Sequence, residues 1–408
     1  MKKLLYNANN CLLLVLIAII FIAQSGCKKD QKYGTGTPVI THIRNYVASP
    51  GDSLLSKVGT GQWVVISGRN LKGALQINFD GVAGSFNDAW FSDTSAIALI
   101  PAVIAFPIVP AKQLNTITYV TTHGQTTFSF SIVAPAPTIS GVSNEDASPG
   151  DSVKINGFNF FFIKSLTYAG IAITNYTASS DGTTISLAVP AGVTQNGGIV
   201  SVTTKSGSAS TVYNVHDFVD GVFQNWDSIN TYPWGSDTEN SSADFPGNTG
   251  YYNVLTASNL TANDYAWYNG GRGVNMGAAQ WVKVADIDSS LSSYAVKFEL
   301  SVPKSTPWTA GSIFVAANGS FDYIARYRPW INSAGKTTPF TTTGWITVTI
   351  PLSSFLTNNG TGTPVASISD LVGSSGKTGM NIWYINDGLT TVTAFKAAID
   401  NIRVVKIK

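Results

Sequence analysis

Charge is scarce in this chain of 408 residues: Asp, Glu, Lys and Arg together make 12% of it, about half the usual share of ~25%. A nucleic-acid binder draws its affinity from clustered Lys and Arg, so that class is excluded, and a hydrophobic content of 44% excludes disorder. Histidine occurs three times, cysteine twice, and glutamate only at Glu145, Glu239 and Glu299. Zinc sites need clustered His and Cys, and a Ser/His/Asp hydrolase needs a histidine beside its nucleophile, so both lack material; no Gly-x-Ser-x-Gly is present. No cofactor and no metal are expected. No long stretch shows helical periodicity, which excludes a coiled coil or a helical bundle. What is plentiful is glycine (38), tryptophan (10) and tyrosine (16), the composition of an all-β protein that touches its ligand by stacking.

The longest apolar run, Cys11 to Ala23, follows Lys2 and Lys3 and is too short to span a bilayer, which takes about 20 residues. It fits the core of a signal peptide over residues 1–26. Gln24-Ser25-Gly26-Cys27 resembles a bacterial lipobox, with Gln24 in place of the usual aliphatic residue. The expectation is lipidation at Cys27 and a tether over 27–36. Cleavage removes Cys11, so no disulfide can form within the mature chain, and it brings the basic residues level with the 23 acidic ones. A neutral protein does not capture polyanions.

Ser-Pro-Gly-Asp-Ser occurs at Ser49 to Ser53 and again at Ser148 to Ser152, an offset of 99. Val64 to Leu71 matches Val153 to Phe160 at an offset of 89, which places ten extra residues in the first copy, after its turn. Each copy opens on a Pro-led strand and closes on a Thr-rich pair, the pattern of a small immunoglobulin-like sandwich. Calcium could use Asp52 and Asp151, but Pro-Gly-Asp is ordinary turn chemistry. The units resemble IPT/TIG domains, and the predicted boundaries are 37–134 and 135–215.

From 216 to 408 separate strands alternate with Gly/Ser/Thr loops, which predicts a larger jelly-roll-type β-sandwich. Eight of the ten tryptophans lie here. Trp281 and Trp383 sit in apolar strands and read as core. Trp234, Trp308 and Trp330 each follow a proline, and Trp267-Tyr268 runs into Asn269-Gly270-Gly271, so these rings are expected at loops, where burial is hardest to complete. A pyranose packs its C–H face on such a ring and needs donors and acceptors around the rim, for which Arg272, Arg328, Tyr327, Asn269 and Asn275 are candidates. The predicted platform is therefore Trp234, Trp267, Tyr268, Trp308, Tyr327 and Trp330, with Arg272 and Arg328.

The layout resembles the surface glycan-binding lipoproteins of Bacteroidota polysaccharide-utilisation systems. The matching stretches are Tyr265 to Gly273, Val302 to Gly311, Tyr327 to Trp330, Gly344 to Ser353 and Asp400 to Val404. The resemblance implies a non-catalytic protein on the outer membrane, facing out, that binds xyloglucan or a related β-glucan. It also implies a neighbouring TonB-dependent transporter with its glycan-binding lid lipoprotein. Two other classes stay open on the residues alone. A glycoside hydrolase needs a carboxyl pair, for which Glu239, Glu299, Asp244, Asp264, Asp286, Asp288, Asp322 and Asp387 are the material. A protein-binding adhesin or structural lipoprotein could use the same rings.

Overall fold

The computed structural model describes residues 35–230, 237–248, 250–317 and 320–408. Signal peptide, Cys27, most of the tether and Trp234 lie outside the described residues. The chain divides into two compact units, one formed by the residues up to Ala102 with Pro110–Ile132, the other by Val103–Val109 with Val133–Lys408.

The first unit is a sandwich of short strands. Strands β1 (Val39–Asn45), β2 (Trp63–Arg69), β3 (Ala74–Phe79), β4 (Ser95–Leu99), β5 (Thr116–Thr121) and β6 (Gly124–Ser129) form its two main sheets, β1-β2-β4 and β3-β5-β6, each extended by one two-residue strand. Alternation sends Ile43, Val64, Ile66, Ile77, Phe79, Ala96, Ala98, Ile117 and Tyr119 inward. Asp80, the turn residue just after β3, has a φ of 49°, and its Oδ1 accepts the Thr116 N–H at 3.2 Å while Oδ2 is buried without a partner. Burial pushes this carboxyl up to about 6. The folded state therefore keeps a proton that the unfolded chain has shed, and stability falls as pH rises from about 4 through 6. Asp80→Asn, which also tolerates a positive φ, is expected to raise the thermal midpoint at pH 8 by a few degrees and leave it unchanged at pH 4 in calorimetry at the two pH values.

The second unit begins with the same plan. Strands β7 (Thr138–Val142), β8 (Ser152–Phe158), β9 (Ile163–Tyr168), β10 (Thr184–Ala188), β11 (Ser201–Thr204) and β12 (Gly207–Ser210) repeat the pairing strand for strand, as β7-β8-β10 and β9-β11-β12. The two Pro-Gly-Asp aspartates do turn chemistry: Asp151 Oδ2 accepts the Ser148 N–H at 3.0 Å, and Asp52 pairs with Arg44.

The C-terminal sandwich follows in the same unit. Its main strands are β13 (Tyr252–Leu260), β14 (Gly273–Gln280), β15 (Tyr294–Ser301), β16 (Ser312–Ala317), β17 (Ile324–Tyr327), β18 (Ile346–Pro351), β19 (Lys377–Ile385) and β20 (Val392–Lys406). One sheet runs β13-β20-β15-β18, with Asp237–Glu239 beyond β13 and Val222–Gln224 beside β20; the other runs β14-β19-β16-β17. Between them lies a core that includes Val296, Phe298, Leu300, Ile313, Val315, Ile382, Tyr384, Phe395 and Ile399. Tyr384 and Phe395 stack across it with centroids 3.6 Å apart.

Strand β15 departs from the sequence reading. Glu299 alternates with apolar neighbours and reads as solvent-facing, yet all eight residues of β15 are buried. The second repeat covers that face through its loop at Ser143–Asp146. Arg403 on β20 grips Glu299 with both Nη atoms, at 2.7 and 3.0 Å, and donates to Glu145 at 2.8 Å. Lys297 reaches the other oxygen of Glu145 at 2.5 Å and lies over the Tyr213 ring. Thr347 clamps the backbone, accepting the Glu145 N–H at 2.7 Å and donating to Glu299 at 2.8 Å. Burial alone would raise the Glu145 carboxyl, but Lys297 and Arg403 outweigh it and hold it below the usual range. Asp146 is pushed the other way, by burial and by the Glu299 carboxylate.

Candidate functional site

Register decides which side chains of the second sheet face away from the core. Gly273 pairs with Trp383, Trp383 with Phe314, and Phe314 with Arg326; one step along, Asn275 pairs with Asn381 and Asn381 with Ala316. Met276, Ile382, Tyr384, Ile313 and Val315 point into the core, so Asn275, Asn381, Trp383, Phe314 and Arg326 share the opposite face. That face carries a second apolar layer, in which Phe314, Trp383 and Ile385 are covered by Tyr265, Trp267 and Phe321.

Trp267 lies flat on Trp383, with centroids 4.9 Å apart and planes 15° from parallel. Phe321 leans on the same indole at 4.9 Å, and Tyr265 meets both Phe321 and Phe314 edge-on. Gly273 is required beneath this stack, because a Cβ there would sit 2.8 Å from the Trp383 ring. Beyond Trp267, Tyr268 stands T-shaped against it and is 72% exposed.

The loop that carries these rings is wound around Arg272. Asp264 accepts the Ala266 N–H at 2.9 Å, and Arg272 donates to Asp264 at 3.2 Å, to the Ala266 carbonyl, and to the Asn269 carbonyl at 3.2 Å. Gly270 and Gly271 take φ of 37° and 68° to turn the chain back into β14. The Ala266 N–H and the Arg272 guanidinium hold the Asp264 carboxyl below its ordinary value against the opposing effect of burial. Polar groups ring the stack: Asn275 Oδ1 accepts from Asn381 and, at 3.1 Å, from Trp383 Nε1. Arg326 donates to Asp387 at 2.8 Å and to the Asn359 carbonyl at 2.7 Å while lying over Phe314.

The expected platform separates into parts. Trp267 and Tyr268 are on this face. Trp308 is 1% exposed and belongs to the core. Its backbone bridges Phe340 with two bonds of 2.9 Å, which turns the ring inward against Phe395, Tyr327 and Tyr384; the preceding proline marks the bridge, not an open loop. Tyr327 points to the core side of β17, and burial pushes its phenol up to about 12. Trp330 packs on the core edge and donates Nε1 to the Gly311 carbonyl at 2.7 Å. Arg272, expected on the rim, is 2% exposed and holds the loop from within. Arg328 is exposed, one residue beyond the end of β17. Rings unforeseen from the sequence are Tyr265, Phe321 and Phe314. Their signal was present in β19, where Asn381, Trp383 and Ile385 alternate with Met380, Ile382 and Tyr384: a strand apolar on both faces is covered on both.

Among the described residues, the carboxylates beside this face are tied up in ion pairs and hydrogen bonds rather than left for hydrolysis. Asp264 is committed to Arg272 and Asp387 to Arg326 and Ser312. A general acid needs a raised pKa, and Asp264 is shifted the opposite way.

Two immunoglobulin-like repeats leading to a β-sandwich with an aromatic outer face define a modular binding protein. Residues 216–406 match the family model described as "Surface glycan-binding protein B xyloglucan binding domain", and the C-terminal domain belongs to that family. An IPT/TIG domain-containing protein of Bacteroides ovatus is 25% identical over 209 residues, 48% of this chain and 42% of the relative, so the match spans less than half of that protein. Among solved structures, the surface glycan-binding protein PbSGBP-B from Prevotella bryantii is similar with a TM-score of 0.66 and 22% identity, over 91% of this chain and 99% of the other. SGBP-B from a complex xyloglucan utilization locus in Bacteroides uniformis is similar with a TM-score of 0.50 and 21% identity, over the same shares. Both likenesses bear on the fold.

Proposed function

We propose that the chain is a non-catalytic receptor that holds a neutral β-glucan, xyloglucan or a close relative, at the bacterial surface on the outer face of the β14-β19-β16-β17 sheet. The observation that carries this reading is the Trp267–Trp383 stack beside exposed Tyr268. An indole fixed flat from below presents a preorganised apolar plane, and the surrounding amides can meet hydroxyls at its edge. By analogy with bases on aromatic rings, each stacked sugar contributes about 1–3 kcal/mol. Two rings less the cost of association leave modest affinity for a short oligosaccharide and more for a polymer. The lipobox-like Gln24 to Cys27 supports anchoring at Cys27 in the outer membrane. The family layout supports a place beside a TonB-dependent transporter and its lid lipoprotein, with separate hydrolases.

The test is affinity electrophoresis of the chain from Lys28 to Lys408 against a panel of neutral and charged polysaccharides, with an assay for reducing ends. Retardation by xyloglucan or another β-glucan without release of reducing ends is expected, and it persists at high salt because no ion pairing is involved. Release of reducing ends, or retardation only by charged polymers, overturns the reading.

A further inference from the structure

The first repeat carries three aromatic rings that its core does not use. Tyr46 is 53% exposed, Trp63 37% and Trp90 52%, and their centroids follow one another at 6.0 Å and 6.0 Å, tilted by 41° and 53°. We propose that Tyr46, Trp63 and Trp90 form a second polysaccharide-contact surface, on the first immunoglobulin-like repeat, for the neutral glycan bound by the C-terminal domain. This rests on the function proposed above and extends it to a second site.

Each ring is held by fixed structure. Trp63 opens β2 opposite Leu99. Trp90 closes a single turn, Asp88–Trp90, whose Asn87 side chain accepts the Ala89 N–H at 3.1 Å. Tyr46 begins the loop with the ten extra residues, and that loop is tied at its base: Asn45 N–H donates to the Ser53 carbonyl at 3.1 Å, Ser53 N–H to Asn45 Oδ1 at 2.7 Å, and Arg44 pairs with Asp52. A surface organised in advance loses little entropy on binding.

The repeat supplies the control that a single domain lacks. At the matching positions of the second copy stand Glu145 for Tyr46, at the 99-residue offset, and Ser152 and Ser179 for Trp63 and Trp90, at the 89-residue offset. That copy builds the same sheets without these rings, so the fold does not require them. The occupant follows from chemistry. In sequence the rings are flanked by the amides Asn45, Gln62 and Asn87, with Asp88 two residues before Trp90; Arg44 and Asp52 at the base of the Tyr46 loop neutralise each other, and the mature chain is formally neutral. Apolar planes edged by amides suit the C–H face and hydroxyls of a neutral sugar, the same pairing as at Trp267. A polymer can engage two such surfaces and gain by avidity, whereas a short oligosaccharide occupies one.

The experiment compares the Lys28–Lys408 chain with its Tyr46→Ala/Trp90→Ala variant against xyloglucan polymer and a short xyloglucan oligosaccharide, with Trp267→Ala/Tyr268→Ala in parallel. The two replaced rings are more than half exposed, so an unchanged thermal midpoint is the control, and Trp90→Phe should restore part of the effect. Expected is roughly a ten-fold or greater weakening for the polymer with oligosaccharide binding unchanged. Polymer affinity equal to wild type overturns the second surface while leaving the C-terminal site intact. Equal polymer affinity with loss of self-association in size-exclusion chromatography assigns the rings to a protein contact and also overturns it. A wild-type chain that binds no polymer sinks the proposed function, and this inference with it.

Discussion

Arg403→Met destabilises the second unit by about 3–5 kcal/mol at neutral pH, the cost of leaving a buried carboxylate without its partner. Arg403 touches Glu299, Glu145 and Asp146, so its loss leaves these three buried acids with the Lys297 ammonium on Glu145 and the Thr347 hydroxyl on Glu299. The pH dependence identifies the cause. In the wild type the Glu145 carboxyl is held below its ordinary value, so its stabilisation is present above about 4.5 and fades as pH falls through the lowered pKa. Without Arg403 that pull is weakened, and the difference between variant and wild type shrinks as pH is lowered toward 4. Denaturant unfolding at pH 7.5 and pH 4 measures both. A loss of about 1 kcal/mol or less, the worth of an exposed ion pair, would show that the network does not hold the second repeat to the C-terminal sandwich.

Trp267→Ala weakens β-glucan binding by about 1–3 kcal/mol, roughly a five- to 150-fold change in Kd, with little effect on thermal stability. Trp308→Ala does the reverse: removing a fully enclosed indole costs about 3–5 kcal/mol of folding free energy. Where the Trp308 variant stays folded, its affinity remains near wild type. Titration calorimetry paired with thermal melts separates the two. Equal loss of affinity in both variants would place the sugar elsewhere than on the Trp383 stack.

These two tryptophans show where sequence reasoning succeeds and where it stops. Both stand beside loop-forming residues, Trp308 after Pro307 and Trp267 before Asn269-Gly270-Gly271. Proline and glycine report the local backbone, and a turn can aim a ring either way. Phe340, which forms the bridge that turns Trp308 inward, lies 32 positions on; Trp383, the support of Trp267, lies more than a hundred residues away. Arg272 follows the same logic. Its charge suggested a rim donor, but three partners within eight residues draw it inside the loop.

The sequence by itself determined the all-β class, the tandem repeat with its extra loop, the compositional break near residue 216, and the scarcity of acid–base groups. Each of these is a local or additive property: period-two alternation, turn residues, repeated motifs, counts. Only the tertiary structure decided that Glu145, Glu299, Lys297 and Arg403 form one buried network, that Trp308 is core, and that Trp267 lies on Trp383. Those outcomes depend on strand register and on which faces meet, and both are settled between segments far apart in the chain. The low charge that marks the sequence acquires a location in this way: part of its small charged complement is spent inside, joining two domains, while Trp267 and Tyr268 stay on the outer face proposed to take a neutral ligand.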